Sequence, residues 1–239
     1  EIQKFLADYG YQNSPIIPIS ANQGVNIDIL IEAIEKHIPT PKGNESRDLR
    51  MFAVRSFDVN KPGTKPKDLK GGVIGGSIIS GKICVGDEIE ISPGIEGKPM
   101  TTTVTSLGVE GGMIDEAKAG GLIAVGTKID PFYMKNDELR GQIIARPGSL
   151  PRPQMELVLE VTALERLLDK GNADLKAGDY AVLAVGTSTV IGQVTGTSGK
   201  NTVSFRLRNA AVIEKGQKVA ISKREQSGWR LRAYGEYKG

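Results

Sequence analysis

The chain has 239 residues, with 31 Lys and Arg, 28 Asp and Glu, one Cys and one His. A single Cys and a single His exclude a disulfide framework and almost any metal site built from protein ligands alone. No apolar run approaches the roughly 20 residues of a membrane-spanning helix. We therefore expect no membrane association and a cytoplasmic protein, since disulfide-free chains are typical of that compartment.

The charge is distributed unevenly along the chain. Residues 200–239 hold ten Lys and Arg against three Glu, whereas residues 1–199 hold 21 against 25 acidic residues. This pattern indicates either a polyanion partner near the C-terminus or an ordinary solvated strand face. The 30 glycines lie between β-branched runs without a Gly-X-Y period, which is typical of the tight turns of a β-rich protein.

The first forty residues predict a short α/β segment. Glu1–Tyr9 is predicted to be the end of a helix, Pro15–Ser20 a short strand, and Asn26 the cap of an amphipathic helix that runs to about Ile38. Helix, strand and helix in this order are typical of an α/β layer whose partner strands lie elsewhere. Residues 41–49 are rich in Pro, Gly and polar side chains and predict a linker.

Beyond the linker, the helical signal nearly vanishes. Short β-branched runs alternate with turn signals, and Leu150–Pro153 marks a boundary between two such regions. We therefore expect a mainly β fold with two consecutive β-barrels, over residues 50–149 and 150–239. The predicted strands are Met51–Phe57, Val73–Ile79, Glu88–Ile91, Thr101–Leu107, Gly121–Gly126 and Gly141–Ile144, followed by Met155–Ala163, Tyr180–Val185, Val190–Thr197, Thr202–Leu207, Lys218–Ser222 and Trp229–Tyr237.

Catalytic constellations are missing from the sequence. Gly76–Lys82 matches G-x-x-x-x-G-K, but Ile83 stands where magnesium binding requires Ser or Thr, and another strand is expected to follow. Neither Cys84 nor His37 has the sequence context of a nucleophile with its base. We predict that this chain has no catalytic residues and no metal site and is not an independent enzyme.

The C-terminal strand predicts a basic face. Alternation would place Trp229, Leu231 and Ala233 on one face, which we assign to the core, and Arg230 and Arg232 on the other. Without exposed aromatic side chains beside the arginines, this face would contact RNA through the phosphate backbone only. The predicted RNA-backbone residues are Lys223, Arg224, Arg230 and Arg232.

Eight strings along the chain match one family. They are P-I-I-P-I-S-A (15–21), N-I-D-x-L-I-E-A-I-E (26–35), I-P-T-P-K (38–42), R-S-F-D-V-N-K-P-G-T (55–64), L-K-G-G-V-I-G-G-S-I (69–78), V-G-D-E-I-E-I-x-P-G (85–94), G-G-L-I-A-V-G-T-K-I-D-P (120–131) and G-W-R-L (228–231). R-S-F-D-V-N-K-P-G and G-G-V-I-G-G-S-I are the most specific of them. By these strings the chain resembles the gamma subunit of translation initiation factor two, of the archaeal or eukaryotic type.

The resemblance implies a GTP-binding domain followed by two β-barrels that are similar to domains II and III of elongation factor Tu. Residues 1–40 would be the C-terminal remnant of the GTP-binding domain, and the chain a C-terminal fragment that lacks most of that domain. GTP or GDP with Mg would bind to the full-length parent, a GTPase of protein synthesis. We expect no tight binding to this chain, because it lacks the phosphate loop and the Asn-Lys-x-Asp motif. The guanine-contacting residues would be Ser20, Ala21 and Asn22.

The implied function is GTP-dependent delivery of methionylated initiator tRNA to the small ribosomal subunit, within a heterotrimer that contains alpha and beta subunits. The first barrel would dock the alpha subunit and form part of the site for the tRNA acceptor end. Alpha-subunit docking is assigned to Asp58, Val59, Asn60, Lys61, Pro62, Gly63 and Thr64 and to Lys128, Ile129, Asp130 and Pro131, and the acceptor end to Gly72, Gly75, Gly76, Gly120, Gly121 and Leu122.

Two other interpretations of the sequence stay open. The chain could hold the barrel domains of another translational GTPase, of the elongation or selenocysteine-specific type. It could also be an unrelated RNA-binding protein with two barrels. The string at residues 55–63 favours the initiation factor over both alternatives.

Overall fold

The computed structural model describes residues 1–39, 45–164, 175–199, 201–225 and 228–239. It separates into two compact units, Glu1–Lys42 and Gly43–Gly239. Of the predicted linker, residues 41–44 lie outside the described residues. The larger unit contains both β domains.

The smaller unit contains two helices, α1 (Ile2–Ala7) and α2 (Ile27–His37), and neither buries a residue. The strand predicted at Pro15–Ser20 is wrong, since the only pairing there within the described residues is a bridge between Ser20 and Val25. A strand forms only where a neighbouring strand accepts its hydrogen bonds.

Asn26 occupies the N-cap position of α2, as predicted, but it does not cap the helix through its side chain. Its backbone is left-handed with φ of 59°, and its side chain makes no capping hydrogen bond to α2. Its side-chain amide instead donates to the Pro18 carbonyl oxygen at 2.9 Å. The Asn26 side chain therefore connects the segment around Pro18 to the start of α2, and it accepts no hydrogen bond from the backbone amides of the first helical turn.

The first β domain contains ten strands. They are β1 (Arg50–Phe57), β2 (Val73–Ser80), β3 (Lys82–Cys84), β4 (Glu88–Ile95), β5 (Lys98–Thr103), β6 (Ser106–Val109), β7 (Gly112–Ile114), β8 (Glu116–Lys118), β9 (Ile123–Gly126) and β10 (Ile143–Ala145). Eight of them form one antiparallel sheet in the order β5-β4-β10-β1-β2-β9-β6-β7, and β3 pairs with β8 in a small second sheet. Two 3₁₀ segments, Pro66–Asp68 and Pro131–Asp137, connect strands of this domain.

Alternation along these strands fills the first core. Met51 and Ala53 of β1, and Ile74 and Ile78 of β2, are fully buried and share one cluster. Their neighbours along each strand point to the opposite face, as a period of two requires. The predicted strand Thr101–Leu107 is divided in the structure into β5 and β6.

The strands of the second β domain are β11 (Gln154–Ala163), β12 (Tyr180–Val185), β13 (Ser188–Ser198), β14 (Thr202–Ala211), β15 (Lys218–Glu225) and β16 (Gly228–Tyr237). They form a closed six-stranded barrel in the order β11-β14-β13-β12-β15-β16. Leu159, Leu183 and Phe205 are fully buried at its centre. The prediction of a mainly β fold with consecutive β domains is confirmed.

Arg50 joins the two β domains. Its guanidinium donates to the Ser149 carbonyl oxygen at 2.8 Å and to the Glu214 carboxylate at 2.9 Å, and its side chain is 16% exposed. Close by, the Thr187 hydroxyl donates to the Ala53 carbonyl oxygen at 3.1 Å. The first strand of one domain is thereby held against the β12–β13 turn and the β14–β15 loop of the other.

Candidate functional site

The first β domain carries an apolar groove of about 450 Å³ on its outer face. Strands β1, β2, β6 and β9 supply its walls, and Leu122, 78% exposed, stands at the rim immediately before β9. Apolar grooves with a few polar groups at the edge are the usual form of ligand sites. The residues that define the groove are Val54, Arg55, Phe57, Gly75, Gly76, Gly108, Val109, Glu110, Leu122, Ile123 and Ala124.

Two glycines permit the groove to form. A Cβ on Gly75 would lie 3.1 Å from the ring of Phe57, and a Cβ on Gly76 would lie 2.0 Å from the carbonyl oxygen of Phe52. Gly75 therefore leaves space beside the ring, whereas Gly76 permits close approach of β1 and β2. The structure thus brings together Gly75, Gly76 and Leu122 of the predicted acceptor-end residues.

The other predicted acceptor-end residues lie outside the groove. Gly72 is buried, and a Cβ there would meet the Met134 side chain at 2.1 Å, so its role is internal packing. Gly120 and Gly121 have φ of 117° and 67° and form the turn before β9. The Gly121 carbonyl oxygen accepts a 2.9 Å hydrogen bond from Ser77. These three glycines therefore do not line the groove directly.

Arg55 provides the positive charge at the edge of the groove. Its guanidinium carbon lies 5.5 Å from the centroid of the Phe57 ring, and its Nε donates to Asp137 at 2.9 Å. The hydrogen bond from Arg55, followed by that from the backbone N–H of Ser56, lowers the pKa of Asp137. The carboxylate stays ionised and holds the arginine over the aromatic ring.

The loop Asp58–Thr64 is ordered by its own side chains. Asp58 accepts hydrogen bonds from the backbone and the side-chain amide of Asn60, and these two bonds lower its pKa. Asn60 also exchanges two 2.8 Å hydrogen bonds with the backbone of Lys70, which closes the loop. The Thr64 hydroxyl donates to the Lys61 carbonyl oxygen at 2.7 Å. A surface loop fixed in this way is suited to recognition.

The second predicted docking segment, Lys128–Pro131, lies beside the first. The Gly72 amide donates to the Ile129 carbonyl oxygen at 2.9 Å, two residues after the bonds between Lys70 and Asn60. The side chain of Ile129 is buried in the core, so only its backbone is available at this segment. Lys128 and Asp130 are exposed.

Sequence reasoning missed the aromatic part of this surface. Phe132 is 65% exposed at the start of the 3₁₀ segment, and Tyr133 packs against it edge-on at 5.6 Å. Lys135 lies 5.5 Å from the Phe132 ring and contributes to the lowered pKa of Asp58, so this segment borders the Asp58–Thr64 loop. The available signal was a pair of adjacent aromatic residues directly after the turn-forming Asp130-Pro131, since turns lie at the surface of proteins.

Ser20, Ala21 and Asn22 lie on a tight turn of the smaller unit. The backbone of Ser20 exchanges 3.2 Å hydrogen bonds with Val25, and the amides of Gln23 and Gly24 close the turn. Ala21 and Asn22 are exposed. In the larger unit, Gly76 lies within β2 and Lys82 begins β3, so the G-x-x-x-x-G-K string is part of two strands and does not form a phosphate-binding loop.

The predicted faces of the C-terminal strand are wrong. Trp229 and Leu231 are exposed, whereas Arg232 is buried and forms an ion pair with Glu225. The cause is a bulge: Ile221 pairs with Ala233 and Ser222 with Leu231, so Arg232 is an extra residue that reverses the alternation.

The other predicted RNA-backbone residues, Lys223, Arg224 and Arg230, differ in their side-chain partners. Lys223 pairs with Asp179 at 2.8 Å, and Arg230 lies 3.7 Å from Glu225. Arg224 is exposed and lies opposite Trp229 across the β15–β16 ladder. The four residues therefore do not form a single basic face.

Within the described ranges, the helices are too short or too polar to cross a membrane. Nowhere in the same ranges do three or more His, Cys, Asp or Glu side chains converge as a metal site requires. Cys84 is half-buried, and burial, followed by its hydrogen bond with Glu116, raises the pKa of its thiol. Such a thiol is protonated near neutral pH.

Comparison with known proteins identifies relatives of both β domains. Residues 155–237 match the family described as "Initiation factor eIF2 gamma, C terminal", and residues 71–145 match "Elongation factor Tu domain 2". Curated relatives described as translation initiation factor 2 subunit gamma include those of Thermococcus kodakarensis and Pyrococcus furiosus, which are 47% and 44% identical over 98% of this chain and 60% of the relative. That of Methanocaldococcus jannaschii is 42% identical over 100% of this chain and 61% of the relative. The chain thus spans about 60% of the length of these relatives.

A solved structure of a bacterial selenocysteine-specific elongation factor superposes with a TM-score of 0.75 at 24% identity, over 98% of this chain and 35% of that one. At that identity the similarity shows the fold alone. The much higher identity of the curated relatives distinguishes the initiation factors from the selenocysteine-specific alternative.

Proposed function

Because this chain belongs to the family of translation initiation factor 2 gamma subunits, we propose that its first β domain binds the acceptor end of initiator tRNA and docks an alpha subunit. In the whole protein these contacts would serve GTP-dependent delivery of methionylated initiator tRNA to the small ribosomal subunit. A beta subunit would complete the factor. In this proposal the two β domains are binding modules, and nucleotide hydrolysis belongs to a GTP-binding domain.

The observation that carries the acceptor-end proposal is the composition of the groove. Its walls are apolar, with Val54, Val109 and Leu122 available to a methionine side chain, and its volume is about 450 Å³. Burial of a thioether side chain against apolar residues contributes roughly 25 cal/mol of binding free energy per Å² of apolar surface removed from water. Arg55, fixed over Phe57 by Asp137, offers a cation and a π-face at the edge of the groove. This combination suits a terminal nucleotide that carries an apolar aminoacyl group.

A charge placed in the groove tests this assignment. In the full gamma subunit, Leu122→Asp should accelerate spontaneous hydrolysis of the methionyl ester of bound initiator tRNA and weaken its binding, because a carboxylate would replace the apolar rim. Leu122 is exposed, so the fold should tolerate the change. Ile79→Asp, also exposed but on β2 outside the groove, is the matched control. Equal protection of the ester by both variants would contradict the assignment.

The alpha-docking proposal rests on two neighbouring loops that are ordered and exposed. Asn60 holds the Asp58–Thr64 loop against Lys70, and Phe132 with Lys135 extends the surface beside it. A preformed surface with an exposed aromatic anchor is typical of protein interfaces, because little ordering is required on binding.

An arginine placed at this surface tests the docking proposal. Asp58→Arg and Pro131→Arg should each reduce retention of the purified alpha subunit on the immobilised 239-residue chain. Asp115→Arg makes the same charge change as Asp58→Arg at an exposed turn elsewhere in the first β domain and should leave retention unchanged. Retention that is undiminished in both docking variants would refute the assignment.

A further inference from the structure

The closed barrel presents aromatic and arginine side chains side by side on its outer surface. Across the ladder, Arg206 of β14 lies opposite Gln193 of β13, which lies opposite Tyr180 of β12. Arg224 of β15 lies opposite Trp229 of β16. Pairing of Ala181 with Lys223 places Tyr180 next to Arg224, which joins the two halves into one row. We name the exposed set Tyr180, Arg206, Arg208, Arg224 and Trp229 the aromatic–arginine face.

This face forms a shallow groove of about 550 Å³ rather than a flat sheet surface. Trp229 is 46% exposed and Tyr180 is 57% exposed, so both rings are accessible from the solvent. Neighbouring strands lie roughly 4.8 Å apart, so the backbones of β12 and β16, which carry the two rings and are separated by β15, lie about 10 Å apart across the barrel. Each ring is therefore free to receive a planar group of its own.

The charge of the face is positive. Glu156 lies 3.5 Å from Arg206, and both side chains of this pair are mostly exposed, so the pair is screened by water. Within the described ranges, Arg208 and Arg224 have no carboxylate at salt-bridge distance. Unpaired guanidinium groups beside exposed rings favour a polyanion with planar groups over a neutral or apolar protein surface.

We propose that the aromatic–arginine face binds single-stranded RNA, with bases stacked on Tyr180 and Trp229 and phosphates bound by its arginines. Every base has a π-face, so binding is tolerant of sequence. A duplex keeps its bases stacked on one another, so the rings discriminate against it. The site lies on the second β domain and is independent of the acceptor-end and docking surfaces proposed above.

Trp229 is the only tryptophan of the chain, which makes the stacking step directly observable. The 239-residue chain would be titrated with 12-nucleotide oligo(U) and oligo(A), with a 12-base-pair RNA duplex, and with inorganic polyphosphate. Single strands should quench the Trp229 fluorescence, and the duplex and polyphosphate should not. Fluorescence anisotropy of labelled RNA gives the affinity of each ligand independently of tryptophan.

The variants separate stacking from charge. Trp229→Ala and Tyr180→Ala should each weaken binding of oligo(U) at least fivefold, because stacking on one aromatic side chain contributes about 1–3 kcal/mol, while Trp229→Phe should retain most of the affinity. Arg224→Ala should make the affinity less dependent on salt concentration, because about one fewer counterion is released when the RNA binds. Arg152→Ala, an exposed arginine outside the face, is the control and should change neither quantity.

Three outcomes would overturn the proposal. Equal affinity for single strands, duplex and polyphosphate without quenching would reduce the face to a nonspecific cationic surface. Alanine variants that remain folded by circular dichroism and bind oligo(U) normally would place RNA binding elsewhere. Absence of RNA binding together with burial of Trp229 in the assembled heterotrimer would assign the face to a protein partner.

Discussion

Arg50 should stabilise the contact between the two β domains by about 3 kcal/mol. Its guanidinium donates to the Ser149 carbonyl oxygen at 2.8 Å, to the Ser149 hydroxyl at 3.1 Å and to Glu214 at 2.9 Å. Hydrogen bonds that involve a charged group contribute about 1.5–3 kcal/mol each. Because Glu214 is about half-exposed, water screens its bond, and we assign about 1 kcal/mol to that pair and about 2 kcal/mol to the bonds with Ser149.

The assay is urea unfolding of the 239-residue chain, followed by circular dichroism. Arg50→Ala should lower the free energy of unfolding by about 3 kcal/mol, and Glu214→Gln by about 1 kcal/mol. The double variant should lose less than the sum of the two, with a coupling energy of about 1 kcal/mol. The matched pair is Arg206 with Glu156, at 3.5 Å and mostly exposed, for which the coupling should stay below about 0.5 kcal/mol.

Two results would refute this reasoning. A loss below about 0.5 kcal/mol for Arg50→Ala would mean that water replaces all of the guanidinium bonds without penalty. A coupling energy for Arg50 and Glu214 no larger than that for the exposed pair would mean that the contact between the β domains does not depend on this ion pair.

Gly76→Ala should lower the free energy of unfolding by about 3 kcal/mol, because its Cβ would lie 2.0 Å from a backbone oxygen. Thermal unfolding measures this loss, and Gly111→Ala is the control that should show no comparable loss, because a Cβ there meets nothing within 4 Å. Burial acts to raise the pKa of Asp87, but the hydrogen bonds from an arginine and a backbone amide outweigh it and lower that pKa. The stability gained is therefore present above the unfolded pKa near 3.9 and is lost as the pH falls through the folded pKa. Asp87→Asn should destabilise the protein at pH 7 by about 1 kcal/mol, and its difference from wild type should shrink in urea titrations below about pH 4; a constant difference would contradict this. Asn60→Ala should speed hydrogen exchange of the Lys70 amide, which donates to the Asn60 side chain, and unchanged exchange would exclude that bond as the loop closure.

Most strands were predictable because alternation and turn residues act locally, but the three-residue strands Lys82–Cys84, Gly112–Ile114 and Glu116–Lys118 were not predicted. Tyr180–Val185 has the same bounds in the sequence prediction and in the structure, and most other strands differ by a few residues at their ends. Prediction failed where a contact from a distant segment decides the outcome. Residues 15–20 have strand-like composition, but the described chain offers them a single bridge at Ser20 instead of a neighbouring strand.

The groove was predictable only in part. Gly75, Gly76 and Leu122 were assigned to the acceptor-end site through the matched strings, and the structure brings them together. Val54 and Val109 come from β1 and β6, and nothing in their local sequence indicates that they face one cavity. Convergence of four strands depends on sheet order, which a single sequence does not specify.

The bulge in β16 shows why alternation alone cannot assign a face. An unbulged strand that keeps Ala233 inward would also turn Trp229 and Leu231 inward and expose Arg232. That register would bury two large apolar side chains, each worth about 1.5–3 kcal/mol. The observed register instead buries an arginine, which is tolerated because Glu225 pairs with it.

The same bulge therefore connects folding with recognition. The pairing of Arg232 with Glu225 is what allows the chain to leave its only tryptophan at the surface beside Arg224. Burial of apolar area alone favours the opposite register. The arginines beside the exposed indole give this surface the charge that a polyanion with planar groups would require.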